Sequence, residues 1–378
     1  MTSDTEAWAY LSRVVEPPCA ELVRLVAQVG CAEAAARIRR GEVAGTLQRL
    51  TAARRHIDTA AADLTRIEAM GGRLVTPDDD EWPVLAFSSF GLVDAEEYPN
   101  GIAPLALWVN GPARLDDIAA RAAALVGTRA ATAYGEQVAA DMAAELVGRD
   151  VAVVSGGAYG IDGAAHRAAL GAGGVTAAVV AGGVDVPYPA GHAALLRRVA
   201  VDGAVVSEYP PGVRPARHRF LVRNRLVAAL SGVTVVVEAG LRSGAANTAA
   251  WAHTLNRPVG AVPGPVTSSA SAGCHRLIRN HATLVTRADE VVELCGRIGE
   301  LADDEPHPTT PLDGLSAEEK RVYEALPGRG ARTCCELAVE SGLPVAQVQG
   351  RLAMLELAGL AATTEDGRWR LMRRPRAG

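Results

Sequence analysis

The apolar positions of this chain change period along its length. Up to about residue 75 they recur at helical spacing: Leu22, Leu25, Val26 and Val29 share a face, and Gly30 can end that helix. Residues 52–70 predict a second long helix, stopped by Gly71-Gly72. Residues 77–101, with an Asp run and scattered Pro and Gly, predict a connecting segment.

The middle differs in kind. Short apolar runs at 122–126, 151–154, 175–180, 204–206, 233–237 and 259–262 alternate with helical stretches such as 134–146, 162–170 and one from about His192. That alternation predicts βαβ units and a doubly wound, mostly parallel sheet of the α/β class, buried on both faces. Its ligand crevice is expected at the carboxyl ends of the strands. An acidic, proline-rich stretch over 299–313 reads as a linker. Residues 314–374 carry three helical pieces and two short strands around the turn Asp366-Gly367, the outline of a winged helix.

Composition agrees with this division. The 378 residues suggest two or three domains. Hydrophobic content of 49% supports a sizeable core, and with aromatics at 4% that core is built mainly from Ala, Val and Leu. The six cysteines form no C-x-x-C pair and no zinc-spaced cluster, so reduced thiols in a cytoplasmic protein are expected, with no metal or cofactor. The N-terminus lacks a signal-peptide pattern, and no apolar run is long enough to predict a membrane span.

Charge changes the picture most. The formal net charge is -5, yet residues 214–225 hold five arginines and no acid. Guanidinium groups match phosphate oxygens, so this segment is expected to meet a polyanion, with a solvated basic helix as the plain alternative. Lys320 is the only lysine, which points to coding bias, so the preference for Arg over Lys is not itself evidence.

The strand ends carry the candidate site. Gly127-Thr128-Arg129 follows the first run, with Thr132 placed to cap a helix. Ser155-Gly156-Gly157-Ala158-Tyr159-Gly160 follows the second, and Glu238-Ala239-Gly240-Leu241-Arg242-Ser243-Gly244 the fifth. Glycine allows close backbone approach, and helix N-termini offer N–H donors to phosphate. A further polar loop, 263–273, precedes Cys274. Asp162 and His166, one helical turn apart, are expected to pair and tie down the glycine loop. Glu238 is the one carboxylate placed as a catalytic acid; the favoured reading has it orient Arg223 or Arg225. Tyr134, Tyr159 and Phe220 are candidates for stacking on bases, or are ordinary packing residues.

These motifs occur in one order: Val126-Gly127-Thr128-Arg129, the 155–162 loop with His166, Tyr188-Pro189, Ser207-Glu208-Tyr209-Pro210-Pro211, Phe220 with Arg223-Asn224-Arg225, Glu238-Ala239 with Ser243-Gly244, and Val262-Pro263-Gly264. The series, over about residues 75–296, resembles the DNA-processing protein A family (DprA, also called Smf). The resemblance implies a Rossmann-like core over 76–298, a helical SAM or helix-hairpin-helix-like domain over 1–75, and a winged helix at the end. It implies sequence-independent binding of single-stranded DNA, a homodimer, and loading of RecA in natural transformation or recombination, without catalysis. On that basis Gly127, Arg129, Gly156, Gly157, Tyr159, Arg219, Arg223, Asn224, Arg225, Arg242, Ser243 and Gly244 are expected at the DNA, supported by Asp162, His166 and Glu238. Many relatives carry a basic residue where this chain has Tyr159, so a phosphate contact is lost or replaced by stacking.

Two other functions are weighed. An enzyme similar to nucleoside-monophosphate phosphoribohydrolases would carry Pro-Gly-Gly-x-Gly-Thr-x-x-Glu where this chain has Glu238 to Gly244. A pure protein adaptor would use the arginine segment against an acidic partner. In the tail, residues 345–357 hold only Arg351 as a cation, whereas Arg368, Arg370, Arg373, Arg374 and Arg376 follow. A protein-contact or regulatory module is therefore expected there, with DNA contact through the wing and tail as the alternative.

Overall fold

The computed structural model describes residues 4–94, 96–296, 299–302 and 312–372. Residues 1–303 form one compact unit and residues 304–378 a second, each with its own apolar core.

The first unit opens with five helices: α1 (Asp4–Val14), α2 (Ala20–Val29), α3 (Cys31–Arg40), α4 (Gly45–Thr51) and α5 (Ala60–Glu68). Of the helix expected over 52–70 only α5 forms; residues 52–59 are turn and loop, and Asp58 accepts from the Ala60 amide (3.4 Å), taking a donor at the start of α5. The boundary expected at residue 75 is not a break in packing. β1 (Gly72–Val75) pairs antiparallel with β2 (Leu107–Asn110), and the fully buried Trp108 of β2 shares a core with Trp8, Tyr10 and Leu11 of α1. Five short helices enclose too little apolar area alone, and they complete their core on the sheet.

The segment 77–101 holds a short helix α6 (Val84–Phe87), and α7 (Leu115–Ala120) follows β2. The winding then begins: β3 (Ala122–Gly127), α8 (Ala133–Val147), β4 (Ala152–Ser155), α9 (Ile161–Gly171), β5 (Thr176–Val179), α10 (Ala193–Asp202), β6 (Ala204–Ser207), α11 (Arg217–Ala229), β7 (Val233–Glu238), α12 (Gly244–Thr254), β8 (Val259–Ala261), α13 (Ala272–Arg279), β9 (Thr283–Leu284) and α14 (Ala288–Cys295). The order across the nine-stranded sheet is β1-β2-β6-β5-β4-β3-β7-β8-β9. β6 to β9 run parallel, while β1 and β2 add an antiparallel edge. All six expected runs are strands, and the fold is the Rossmann-like α/β class. The chain winds outward from β3 through β4 to β6, then returns to the other side of β3 with β7. The crevice of such a sheet lies at that reversal, where the β3–β7 pairing also shifts register at Val126/Gly127.

In the second unit, α15 (Ala317–Ala325), α16 (Cys334–Ser341) and α17 (Val345–Leu357) precede a hairpin of β10 (Ala361–Thr363) and β11 (Trp369–Leu371). Capping boxes start two of the helices, Ser316 with Glu319 and Thr333 with Glu336. Val322, Leu337, Val348, Leu352 and Leu355 fill the core of this winged helix. Most of the expected linker (residues 303–311), and Arg373, Arg374 and Arg376, lie outside the described residues.

Candidate nucleic-acid interface

The loops after β3, β4 and β7 converge with one face of α11 on a cleft of about 370 Å³. On α11 the stripe is Phe220, Arg223, Asn224 and Val227, the i, i+3, i+4, i+7 pattern of a single helix face. Gly127 and Arg129 come from the β3 loop, Gly156 from the β4 loop, and Arg242, Ser243 and Gly244 from the β7 loop. Arg129 and Arg242 are exposed, and neither forms an ion pair with a described carboxylate. Ser243 caps α12 by accepting from the Ala246 amide (3.4 Å), so the positive end of that helix faces the cleft.

Arg223 forms the floor. It is only 7% exposed, donates from Nη1 to the Val179 carbonyl, and reaches Asn224 Oδ1 from Nε (3.3 Å). Burial lowers its pKa, and the charge of Asp162 opposes that shift. Asp162 is raised by burial and held down mainly by Arg223. Gly156 is required here by space. A Cβ would stand 2.5 Å from Asp162 Oδ2 and 2.6 Å from Arg223 Nη2. The loop backbone thus rests directly on the two charges. Asn224 donates to Asn247 Oδ1 (3.1 Å) and the Gly244 carbonyl (3.4 Å), binding α11 to the β7 loop.

A narrower apolar cleft of about 60 Å³ adjoins the first and shares Arg129, Phe220 and Arg223 with it. Gly157 and Tyr159 line it together with Val186, Tyr188, Pro189 and Pro215. The Arg129 guanidinium lies 5.3 Å from the Phe220 ring centroid, and the Tyr188 ring packs against Phe220 at 5.4 Å, tilted by 50°. Tyr159, half exposed, sets its ring edge-on to His192 at 4.7 Å.

Several expectations fail for identifiable reasons. Arg225 lies two residues beyond Arg223, about 200° around the helix. It is fully buried, with both terminal nitrogens on Glu208 (2.8 and 2.7 Å) and Nε on the Ile102 carbonyl (3.1 Å). Arg219 lines neither cleft, because Glu16 takes it on both oxygens (2.6 and 2.9 Å). Glu238 orients no arginine: its oxygens accept from the Thr132 amide and hydroxyl, both at 2.8 Å, fixing the start of α8. Asp162 and His166 do not pair. His166 donates from Nε2 to the Gly156 carbonyl (2.7 Å), with Nδ1 at the Thr176 hydroxyl (2.7 Å), while Asp162 accepts from the Ala158 amide (3.4 Å), so each ties down the glycine loop separately. Burial lowers its pKa to about 4. Tyr134 lines neither cleft; its hydroxyl donates to the Pro263 carbonyl (2.6 Å).

Sequence reasoning left three contributors without a role. Glu208 sits in the quoted Ser207-Glu208-Tyr209 motif, and a buried counter-charge for a basic segment was a readable need. Tyr188 belongs to the Tyr188-Pro189 motif, which by itself assigns it no contact. His192 was seen only as a helix start, and nothing local marked it as a floor residue under Tyr159. Among the described residues, no cluster of three or more His, Cys, Asp or Glu could hold a metal, and no helix is long and apolar enough to cross a membrane.

Comparison with known proteins gives a consistent result. The family profile described as DNA recombination-mediator protein A matches residues 73–296, and that of the DprA winged helix domain matches residues 306–367. A DNA processing protein DprA of Mycobacterium tuberculosis is 68% identical over 367 residues, 97% of this chain and 94% of that protein. Protein Smf of Escherichia coli is 34% identical over 74% of this chain and 76% of its own length. The X-ray structure of DNA processing protein A from Streptococcus pneumoniae superposes with a TM-score of 0.64 at 28% identity, covering 78% of this chain and 99% of that one. A structure of the Helicobacter pylori DNA processing protein A, described for its single-stranded DNA binding mode, has a TM-score of 0.50 at 27% identity over 58% of this chain and 94% of that one.

Proposed function

This chain belongs to the DNA recombination-mediator protein A family, and from that premise we propose that it binds single-stranded DNA, without regard to sequence, in the cleft beside β3 and β7. The observation that carries the reading is the convergence of Arg129, Arg223 and Arg242 on one cleft at the winding reversal of an acidic protein. Phosphates meet the guanidinium groups and the α12 N-terminus. Unpaired bases stack on the rings of Phe220, Tyr159 and Tyr188. Tyr159 then supplies stacking where many relatives have a cation.

The strand is held and passed on, not altered. Both oxygens of Glu238 are engaged by Thr132, and Asp162, which lines the cleft, is buried against Arg223, so neither is placed for the glycosidic cleavage that the alternative enzyme reading requires. The protein acts as a homodimer in the cytoplasm and delivers the bound strand to RecA. The winged helix serves contact with protein: Arg351, the one cation of α17, is held by Glu318 at 2.7 Å.

Fluorescence anisotropy with labelled single- and double-stranded oligonucleotides tests the binding. Tight binding of the single strand at equal affinity for unrelated sequences is expected; preference for duplex overturns it. RecA ATPase on a strand already coated with single-strand-binding protein tests loading. The chain should shorten the lag, and an unchanged lag removes RecA from the proposal.

A further inference from the structure

The N-terminal helices reach the binding cleft from outside through charged contacts. Glu16, between α1 and α2, grips Arg219 at the first turn of α11 (2.6 and 2.9 Å), with Arg54 at 3.0 Å and His218 at 3.2 Å on the same carboxylate. Arg219 also lies over the Tyr209 ring at 4.7 Å and donates to the Arg214 carbonyl at 2.7 Å. Arg13 of α1 donates to the Pro211 carbonyl at 2.8 Å. Arg66 of α5 pairs with the nearly buried Asp185 at 2.5 Å, and Asp185 accepts from the Gly212 amide at 2.8 Å.

The partners of these groups lie on the segments that wall the narrow cleft. Residues 182–189 supply Val186, Tyr188 and Pro189; residues 209–216 supply Pro215; the start of α11 supplies Phe220. The two loops have little regular structure and are joined by bonds such as the Gly183 amide to the Val213 carbonyl (2.8 Å). Their placement therefore depends on outside anchors.

We infer that Glu16 and Arg66 are positioning residues for strand binding, through which the N-terminal helices fix the outer wall of the cleft without touching the DNA. The inference rests on the function proposed above. Removing Glu16 leaves Arg219, whose side chain is only 13% exposed, without its counter-charge and close to Arg54. The first turn of α11 then shifts to reach water, and Phe220 is the next residue along. Removing Arg66 leaves the nearly buried Asp185, which holds the Gly212 amide, without its counter-charge.

The test uses the full chain with Glu16→Ala, Glu16→Gln and Arg66→Ala. Anisotropy with a labelled oligothymidylate is read across a salt series, well below the unfolding temperature. Affinity should fall about tenfold, the range of remote coupling effects. The slope of log K against log salt should stay at the wild-type value, because no phosphate contact is removed. A role in stability alone would lower the melting temperature and leave the affinity unchanged, which overturns the inference. A reduced slope overturns it too, by making these residues direct contacts. If Glu16→Ala does not fold, the Glu16→Gln and Arg66→Ala variants decide. Hydrogen exchange of 182–189 and 209–220 in the DNA-free protein gives a separate reading. It should rise in the variants, and unchanged exchange overturns the inference. If the wild-type chain fails to bind the oligonucleotide, the proposed function falls while the exchange result still decides whether these residues hold the wall.

Discussion

The clearest quantitative consequence concerns which arginines count. The segment 214–225 supplies five, but only Arg223 lines the large cleft, where Arg129 and Arg242 join it from other loops. Each phosphate neutralised on a single strand contributes roughly -0.7 to the slope of log K against log salt, so three contacts give about -2.1. Raising salt from about 50 to 200 mM should then weaken binding about 18-fold. With Arg129→Ala or Arg242→Ala the slope should drop to about -1.4, and the same salt step should cost only about sevenfold. Arg223→Ala should do more than its slope predicts, because Asp162 is then left buried beneath the phosphate path without its opposing charge. Arg219→Ala should leave the slope at the wild-type value. Anisotropy titrations at five or six salt concentrations resolve these differences. A wild-type slope near -3.5, with Arg219→Ala lowering it, would refute the assignment and return the whole basic segment to the DNA.

Further outcomes follow from the same geometry. Arg225→Ala leaves Glu208 buried and unpaired, so chemical denaturation should show a loss of about 3–5 kcal/mol; a loss below about 1 kcal/mol would contradict the buried pair. Gly156→Ala places a Cβ against Asp162 and Arg223 and should weaken strand binding while far-UV circular dichroism stays native; wild-type affinity would show that the loop can yield. Burial holds His166 at about 4, below its unfolded value near 6.5. The unfolded chain therefore binds more protons between those pH values, and stability should fall as pH drops through that window. His166→Gln should flatten this part of the profile in thermal melts, and an equally steep profile would acquit His166.

The sheet was legible because burial on both faces writes itself as continuous apolar runs, and all six runs became strands. The edges were not legible. β1 spans four residues and β9 two, too short for such a run, and the apolar run of β2, Leu105 to Val109, stands outside the strand-helix alternation that marks the others. Residues 52–70 misled because the turn over 52–59, closed by Asp58 on the Ala60 amide, is a local choice that periodicity ignores. The glycine loops predicted the crevice well, since the need for close approach is recorded in the residue itself. Charged side chains were read poorly where their partners are distant. Glu16 precedes Arg219 by 203 positions, and Thr132 lies 106 positions before Glu238.

The division of α11 explains why a basic segment overstates a binding site. Two of its arginines are matched by carboxylates, Glu16 and Glu208, and a third is opposed by Asp162. Arg214 and Arg217 remain exposed without an ion pair to a described carboxylate, and neither lines the clefts. The local positive potential instead comes from guanidinium groups on three separate elements that the sheet brings together at its reversal. Charge density along the chain located the right helix for a reason only partly correct. That helix joins the N-terminal region to the sheet, through Arg219 on Glu16 and Arg225 on Glu208. A short α11 anchored at one end only would present Arg223 to the cleft in several orientations. Anchored by Glu16 at its start and Glu208 in its middle, it presents one, and a fixed guanidinium loses less entropy on meeting each phosphate of a passing strand.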